Sequence, residues 1–174
     1  SGLTLKSKPR SIKNLPGYLN GKWVIQDRSS QWVAPLLNPK QGDKILDACS
    51  APGTKTTHLA ELIEDNGEIL AIDRSNIRLE LLKENLKRLN IQSVKAIHAD
   101  ATKLIEIEPK YLNYFDKILV DAPCSGIGTL SRNPDARWQL SKNKIDQLIT
   151  IQEELLEATI PLLNKKGLLV YSTC

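Results

Sequence analysis

Three cysteines stand at positions 49, 124 and 174, and the last closes "LLVYSTC", an apolar run that breaks into polar residues. That pattern reads as a β-strand delivering a thiol to its carboxyl end. The cysteines are odd in number and widely spaced, with no CxxC pair, and only His58 and His98 could join them as ligands. Neither a disulfide framework nor a metal site is expected, and a reducing cytosol is the default compartment. A lone cysteine at a strand end is commonly a small buried hydrophobe, and that reading suits Cys49. Cys124, between Pro123 and Ser125, and Cys174, after Ser172 and Thr173, lie where the chain leaves the core.

The carboxylates form a second pattern. Asp73, Asp100 and Asp121 each end a short apolar run, and the first such run leads into "DACSAPGTKTTHLAEL". Cys49, Ser50, Ala51, Pro52, Gly53, Thr54 and Lys55 make a turn of mostly small residues. Small side chains let a backbone approach a ligand closely, and a helix starting after Gly53 favours a negative group at its N-terminus. Asp73 lies 20 residues beyond Gly53, where a carboxylate can accept hydrogen bonds from both hydroxyls of a ribose. Any one of these aspartates could instead cap a helix. Three of them beside a small-residue loop point to a nucleoside site, with Asp73 on the ribose and Asp100 near the base.

Which nucleoside follows by exclusion. Ala48, Cys49, Ser50 and Ala51 occupy the places where G-x-G-x-x-G needs glycines, which argues against a nicotinamide cofactor. Thr54 separates Gly53 from Lys55, and no glycine lies between Gly42 and Gly53, so a phosphate-cradling P-loop is not formed. S-adenosylmethionine is the remaining common nucleoside cofactor for this arrangement.

The elements that must hold these residues alternate. "KILDAC", "EILAID", "SVKAIHAD", "DKILVDAP" and "GLLVYSTC" read as five strands. In "SNIRLELLKENLKRLN" the residues Ile77, Leu81, Leu82, Leu86 and Leu89 share a helical face behind a Ser75 cap. Residues Lys144 to Leu163 repeat the spacing with Ile145, Leu148, Ile149, Gln152, Leu155, Leu156 and Ile160. Such alternation predicts an α/β, doubly wound parallel sheet with helices on both faces and its ligand beyond the carboxyl ends of the strands. Residues 1–40, with four prolines, read as a lead-in segment, and 41–174 as the cofactor-binding catalytic domain.

Composition adds bounds. The chain of 174 residues is 41% hydrophobic and 25% charged, and no apolar run is long enough to span a membrane or form a signal-peptide core. The net charge of +4 is unevenly spread. Lys6, Lys8, Arg10, Lys13, Lys22 and Arg28 face only Asp27 near the start, and Arg132, Arg137, Lys142 and Lys144 form a second basic group. These are solvated loops or contacts to a polyanion such as RNA. Trp138 is either core or a stacking platform.

"DACSAPGTKTTHLAEL", "VDAPCSGIGTLSRNPDARW" and "LLVYSTC" resemble three motifs of the Sun/Fmu (NSUN-type) RNA cytosine-5 methyltransferases, and "VIQDRSSQW" is similar to a further family segment. Ser50 and Thr54 depart from the alanine and second glycine frequent in that loop. The resemblance implies a Rossmann-like class I methyltransferase using S-adenosylmethionine on RNA, with bacterial small-subunit ribosomal RNA as the substrate by analogy. It implies Cys174 as nucleophile, Cys124 in release of the methylated product, and Asp121 between cofactor and pyrimidine. Lys55, as a cation, is read as lowering a nearby thiol pKa or as solvated. In this architecture the sheet order is 3-2-1-4-5, with two more strands covering the fifth. Because the sequence starts at Ser1 and stops at Cys174, a fragment is expected: an exposed fifth strand prone to non-native association, and cofactor binding without appreciable turnover.

Overall fold

The computed structural model of the chain describes residues 4, 10–130, 134–139 and 141–173, and of 134–139 only the side chains of Pro134, Asp135 and Trp138. Lys6, Lys8, Arg132, Cys174 and the Arg137 side chain therefore lie outside the described residues. Five strands form one all-parallel sheet: β1 (Lys44–Asp47), β2 (Glu68–Asp73), β3 (Val94–His98), β4 (Phe115–Asp121) and β5 (Leu163–Ser172), in the order β3-β2-β1-β4-β5. This is the expected order. The middle strands are apolar on both sides because both faces are covered: every residue of β2 after Glu68 is buried.

The two faces divide by parity. Ile45, Ile69, Leu119 and Ala71 pack against α1 (Val33–Leu37), α2 (Thr54–Leu62) and α3 (Asn76–Leu89). Leu46, Ala48, Leu70, Ile72, Ile118 and Val120 meet α4 (Leu104–Ile107), α5 (Lys142–Thr159) and the aromatic group Tyr111, Tyr114 and Phe115. Ala34 and Leu37 of α1 are fully buried, so the lead-in segment also contributes to the core.

Helix ends follow their sequence signals. Ser75 Oγ accepts from the Arg78 N–H at 3.3 Å, and Asn90 ends α3 in the left-handed conformation at φ 56°. The helix faces differ from expectation. Leu79, Leu82 and Leu86 are the buried residues of α3, whereas Ile77 and Leu81 face solvent. Ile77 stands in the first turn and is 84% exposed. On α5 only Leu155 and Thr159 are buried, Ile145 and Ile149 are exposed, and Ile160, also exposed, lies in the turn just past the helix. β5 begins at Leu163, four residues before the expected Gly167.

Candidate cofactor and thiol site

The loop after β1 is built by its neighbours. Gly53 has φ 102°, a left-handed value, and a Cβ there would meet Leu82 Cδ1 of α3 at 2.4 Å. The same face of α3 grips the two preceding residues: the Arg78 guanidinium donates to the Ala51 carbonyl, and Asn85 Nδ2 donates to the Pro52 carbonyl at 3.4 Å. Asp73, 6% exposed at the end of β2, accepts from the Ala51 N–H at 2.9 Å and from the Ser75 N–H at 2.9 Å. Peptide groups on both sides of Ala51 are thus held, one by a carboxylate and one by a guanidinium. Ser50 donates its hydroxyl to the Ile72 carbonyl at 3.1 Å, and its N–H bonds the same oxygen at 2.9 Å.

At the end of β4, one carboxylate joins three elements. Asp121 Oδ2 accepts from Lys55 Nζ at 2.6 Å, and Oδ1 accepts from Ser172 Oγ of β5 at 2.6 Å. Lys55 is neither solvated nor committed to a thiol, since its partner is Asp121 and its side chain is 15% exposed. Asp121 is about a third exposed, so the pair sits at the low end of the ~1.5–3 kcal/mol that charge-assisted hydrogen bonds contribute. Thr54 opens α2 one residue before Lys55, so the first turn of the helix carries the lysine that meets Asp121.

Asp100 caps the turn after β3, accepting from the N–H and hydroxyl of Thr102 at 3.0 and 2.8 Å, with Arg74 Nε 3.4 Å from its other oxygen. Burial pushes its carboxyl up, but the Thr102 hydrogen bonds, with Arg74 and Lys103 nearby, outweigh that and hold it below the usual range. The Asp100 side chain is 23% exposed.

The thiols differ sharply. Cys49 is free and packs against the apolar cluster beneath the loop. Burial, with the charges of Asp47, Asp73 and Asp121 adding to it, pushes this thiol up to about 12, which suits a structural residue and no nucleophile. Cys124, three residues past the end of β4, is disulfide-bonded, so its sulfur is available for acid–base chemistry only after reduction. Of the two positions expected to carry chemistry, Cys124 is thus in a disulfide, contrary to the expectation from the odd count and wide spacing of the cysteines, and Cys174 lies outside the described residues. Trp138 is 83% exposed, which removes the core reading and leaves a ring open to solvent. His58 is half-buried with no partner for Nδ1 among the described residues, and burial lowers its basicity, in keeping with a structural role.

Asp47 was missed by sequence reasoning, although it ends β1 as Asp73 and Asp121 end theirs. It is 1% exposed; Oδ2 accepts from Thr56 Oγ1 at 2.7 Å, and Oδ1 has no hydrogen-bond partner among the described residues. A buried, half-satisfied carboxyl beneath a loop cradled too tightly for a Cβ at Gly53, with a second acid at Asp73, fits a cationic nucleoside cofactor. Among the described residues no group of His, Cys, Asp and Glu could hold a metal ion, and no helix is long and apolar enough to cross a membrane.

A parallel sheet in the order 3-2-1-4-5, with a ligand loop after its first strand, is the architecture of class I methyltransferases. Solved chains share it at high similarity: that of PH0851 aligns with a TM-score of 0.92 and 39% identity, covering 96% of this chain and 37% of its own. NSun6 from Pyrococcus horikoshii, solved with SFG, aligns at 0.84 and 39% identity, covering 94% and 41%. A probable ribosomal RNA small subunit methyltransferase B of Synechocystis is 47% identical over 173 residues, 99% of this chain and 38% of its length. The family described as 16S rRNA methyltransferase RsmB/F matches residues 34–174, and the chain belongs to it. It spans about 38% of the length of the curated relatives it matches.

Proposed function

We propose that the protein uses S-adenosylmethionine to methylate carbon 5 of a cytosine in RNA, with small-subunit ribosomal RNA as the substrate and Cys174 as a covalent nucleophile. The observation that carries this reading is the Lys55–Asp121–Ser172 cluster. One carboxylate ties the helix of the cofactor loop to the strand preceding Cys124 and to the strand whose sequence continues to Cys174. Bound S-adenosylmethionine supplies an electrophilic methyl group. Carbon 5 of cytosine is a poor nucleophile until the Cys174 thiolate adds to carbon 6 and turns the ring into an enamine. Carbon 5 then takes the methyl, a base removes its remaining proton, and the ring electrons expel the thiolate. Reduced Cys124 serves that release. Asp121 faces the pyrimidine edge and stabilises positive charge on the ring nitrogen, while Lys55 holds the carboxylate in position.

Asp73 holds the ribose, Asp100 lies toward the adenine, and the backbone of Cys49–Lys55 receives the methionine part. Residues 1–40 belong to the substrate side, where Arg10, Lys13, Lys22 and Arg28 are exposed, as are Lys142 and Lys144 across the site. Trp138 offers a face for stacking an unpaired base. The test is incubation of the reduced full-length protein, since this chain alone is expected to bind cofactor without appreciable turnover, with isotopically labelled cofactor and deproteinised small-subunit RNA, then nucleoside analysis. Label in 5-methylcytidine is expected; label in another nucleoside, or in protein alone, would overturn the reading.

A further inference from the structure

Asp47 is the one buried carboxyl of the site that this mechanism leaves without a task. Its surroundings fix a direction for the hydrogen bonds. Thr56 is wholly buried, and its single hydroxyl proton has two acceptors in reach: Asp47 Oδ2 at 2.7 Å and the Ser50 carbonyl at 3.3 Å. If Asp47 is ionised, the proton must go to Asp47, and Oδ1, with only the weak pull of the nearby Cys49 N–H and no hydrogen-bond partner of good geometry among the described residues, is left as a buried anionic oxygen, a costly arrangement. If Asp47 is protonated, its own O–H donates to Thr56 Oγ1, the Thr56 proton goes to Ser50, and the orphan Oδ1 is a neutral carbonyl oxygen. The chain Asp47–Thr56–Ser50 is then satisfied in one direction and braces the cofactor loop.

The groups that bear on Asp47 come from each neighbouring element: Asp121 at the end of β4, Lys55 and Thr56 on α2, and the Cys49 N–H and thiol in the loop. Ala71 of β2 and Leu119 of β4, its register partners, carry no charge. Burial pushes the carboxyl from 3.8 up to about 7, the Thr56 hydrogen bond opposes that, Asp121 adds to it, and Lys55 and the Cys49 N–H oppose it. Lys55, the one cation in this set, is already committed to Asp121. A further positive charge at the loop would tip the balance toward the ionised form.

We infer that Asp47 is a specificity-determining residue for the charge of the cofactor: a neutral acid in the free protein, it releases its proton when a cationic methyl donor occupies the loop. The inference rests on the cofactor reading above. S-adenosylmethionine carries a sulfonium and, with its ammonium and carboxylate, a net positive charge; S-adenosylhomocysteine, the product of transfer, carries none. The proton goes to solvent on binding of the donor and returns when the charge has left with the methyl group. Donor is thereby held more tightly than spent product, which favours turnover.

The experiment is titration calorimetry of the reduced chain with each ligand near pH 6.5, in two buffers of different ionisation enthalpy, for the wild type and Asp47→Asn. The expected result is net proton release with S-adenosylmethionine, little with S-adenosylhomocysteine, and loss of the difference in Asp47→Asn. Preference for donor over product should fall about threefold in the variant at this pH, the effect of a one-unit fall in the pKa of a carboxyl near 7. Infrared difference spectra of the wild type should lose a protonated-carboxyl band on adding S-adenosylmethionine, a readout independent of how well the variant folds. Binding without proton release, or equal release from Asp47→Asn, would overturn the assignment while leaving the cofactor reading intact. Absence of any binding would overturn both.

Discussion

At the scale of single residues, the thiol pair yields the sharpest expectation. In the full-length protein, Cys174→Ala should abolish methyl transfer and any covalent RNA adduct, whereas Cys124→Ala should permit attack but hinder release, so that an adduct accumulates on denaturing gels. The reverse pattern would exchange the two roles. Asp73→Ala should weaken S-adenosylmethionine binding by about 1–3 kcal/mol, since it removes the ribose partner and frees the Ala51 and Ser75 N–H groups; unchanged affinity by calorimetry would take Asp73 out of the site. Asp47 also gives stability a pH dependence. Its folded-state pKa is raised from 3.8 to about 7, so its contribution is fully present below 3.8 and is lost as pH rises toward 7, the unfolded chain having released a proton that the folded chain retains. Urea unfolding across this window should show a downward slope that Asp47→Asn flattens. Much of the site was legible because strand-end acids and a small-residue loop are local signals. What pairs with what was not: Lys55 and Asp121 are 66 residues apart, and only the crossing of α2 over the strand ends brings them together.

Among elements, α3 does more than cover the sheet. Arg78, Leu82 and Asn85 hold the cofactor loop, and Arg88, one turn further along this stripe, donates to the carbonyls of Tyr18 at 2.8 Å and Trp23 at 3.1 Å with its guanidinium 4.0 Å from the Tyr18 ring. Asn85 Oδ1 accepts from Arg88 Nη2 at 3.2 Å, which links the two grips. Arg88→Met should therefore leave the sheet folded but loosen residues 17–23, seen as faster limited proteolysis there with little change in circular dichroism. Gly53→Ala should be far more damaging, because both the left-handed φ and the contact with Leu82 oppose it; a thermal midpoint within a degree of wild type would contradict this. The strands and the Ser75 cap could be read from alternation and local spacing, and the strand order from the family resemblance. The buried face of α3 could not, since Ile77, Leu81 and Leu82 fit a helical stripe as well as Leu79, Leu82 and Leu86, and the choice is made by packing against Ala71, Val94 and Ala96 of the sheet.

For the whole molecule, the decisive asymmetry is between the two edges of the sheet. β3 is five residues long, but β5 runs for ten, pairs only with β4 among the described residues, and exposes Leu168 at 40% and Tyr171 at 38%. A long outer strand with unpaired N–H and C=O groups and apolar side chains is a template for another chain. Its charges, Lys165 and Lys166, lie at the start of the strand, remote from the end that meets Asp121, so nothing repels a partner along residues 167–172. The 174-residue chain should therefore self-associate through β5 as its concentration rises. Leu168→Lys, placing a charge on the exposed stretch while leaving the Asp121–Ser172 contact intact, should shift the equilibrium toward monomer without loss of cofactor affinity. Sedimentation velocity over a hundredfold range of concentration reads the outcome. A wild-type chain that stays monomeric throughout, or an assembly that Leu168→Lys leaves unchanged, would show that this edge is not where the chains meet.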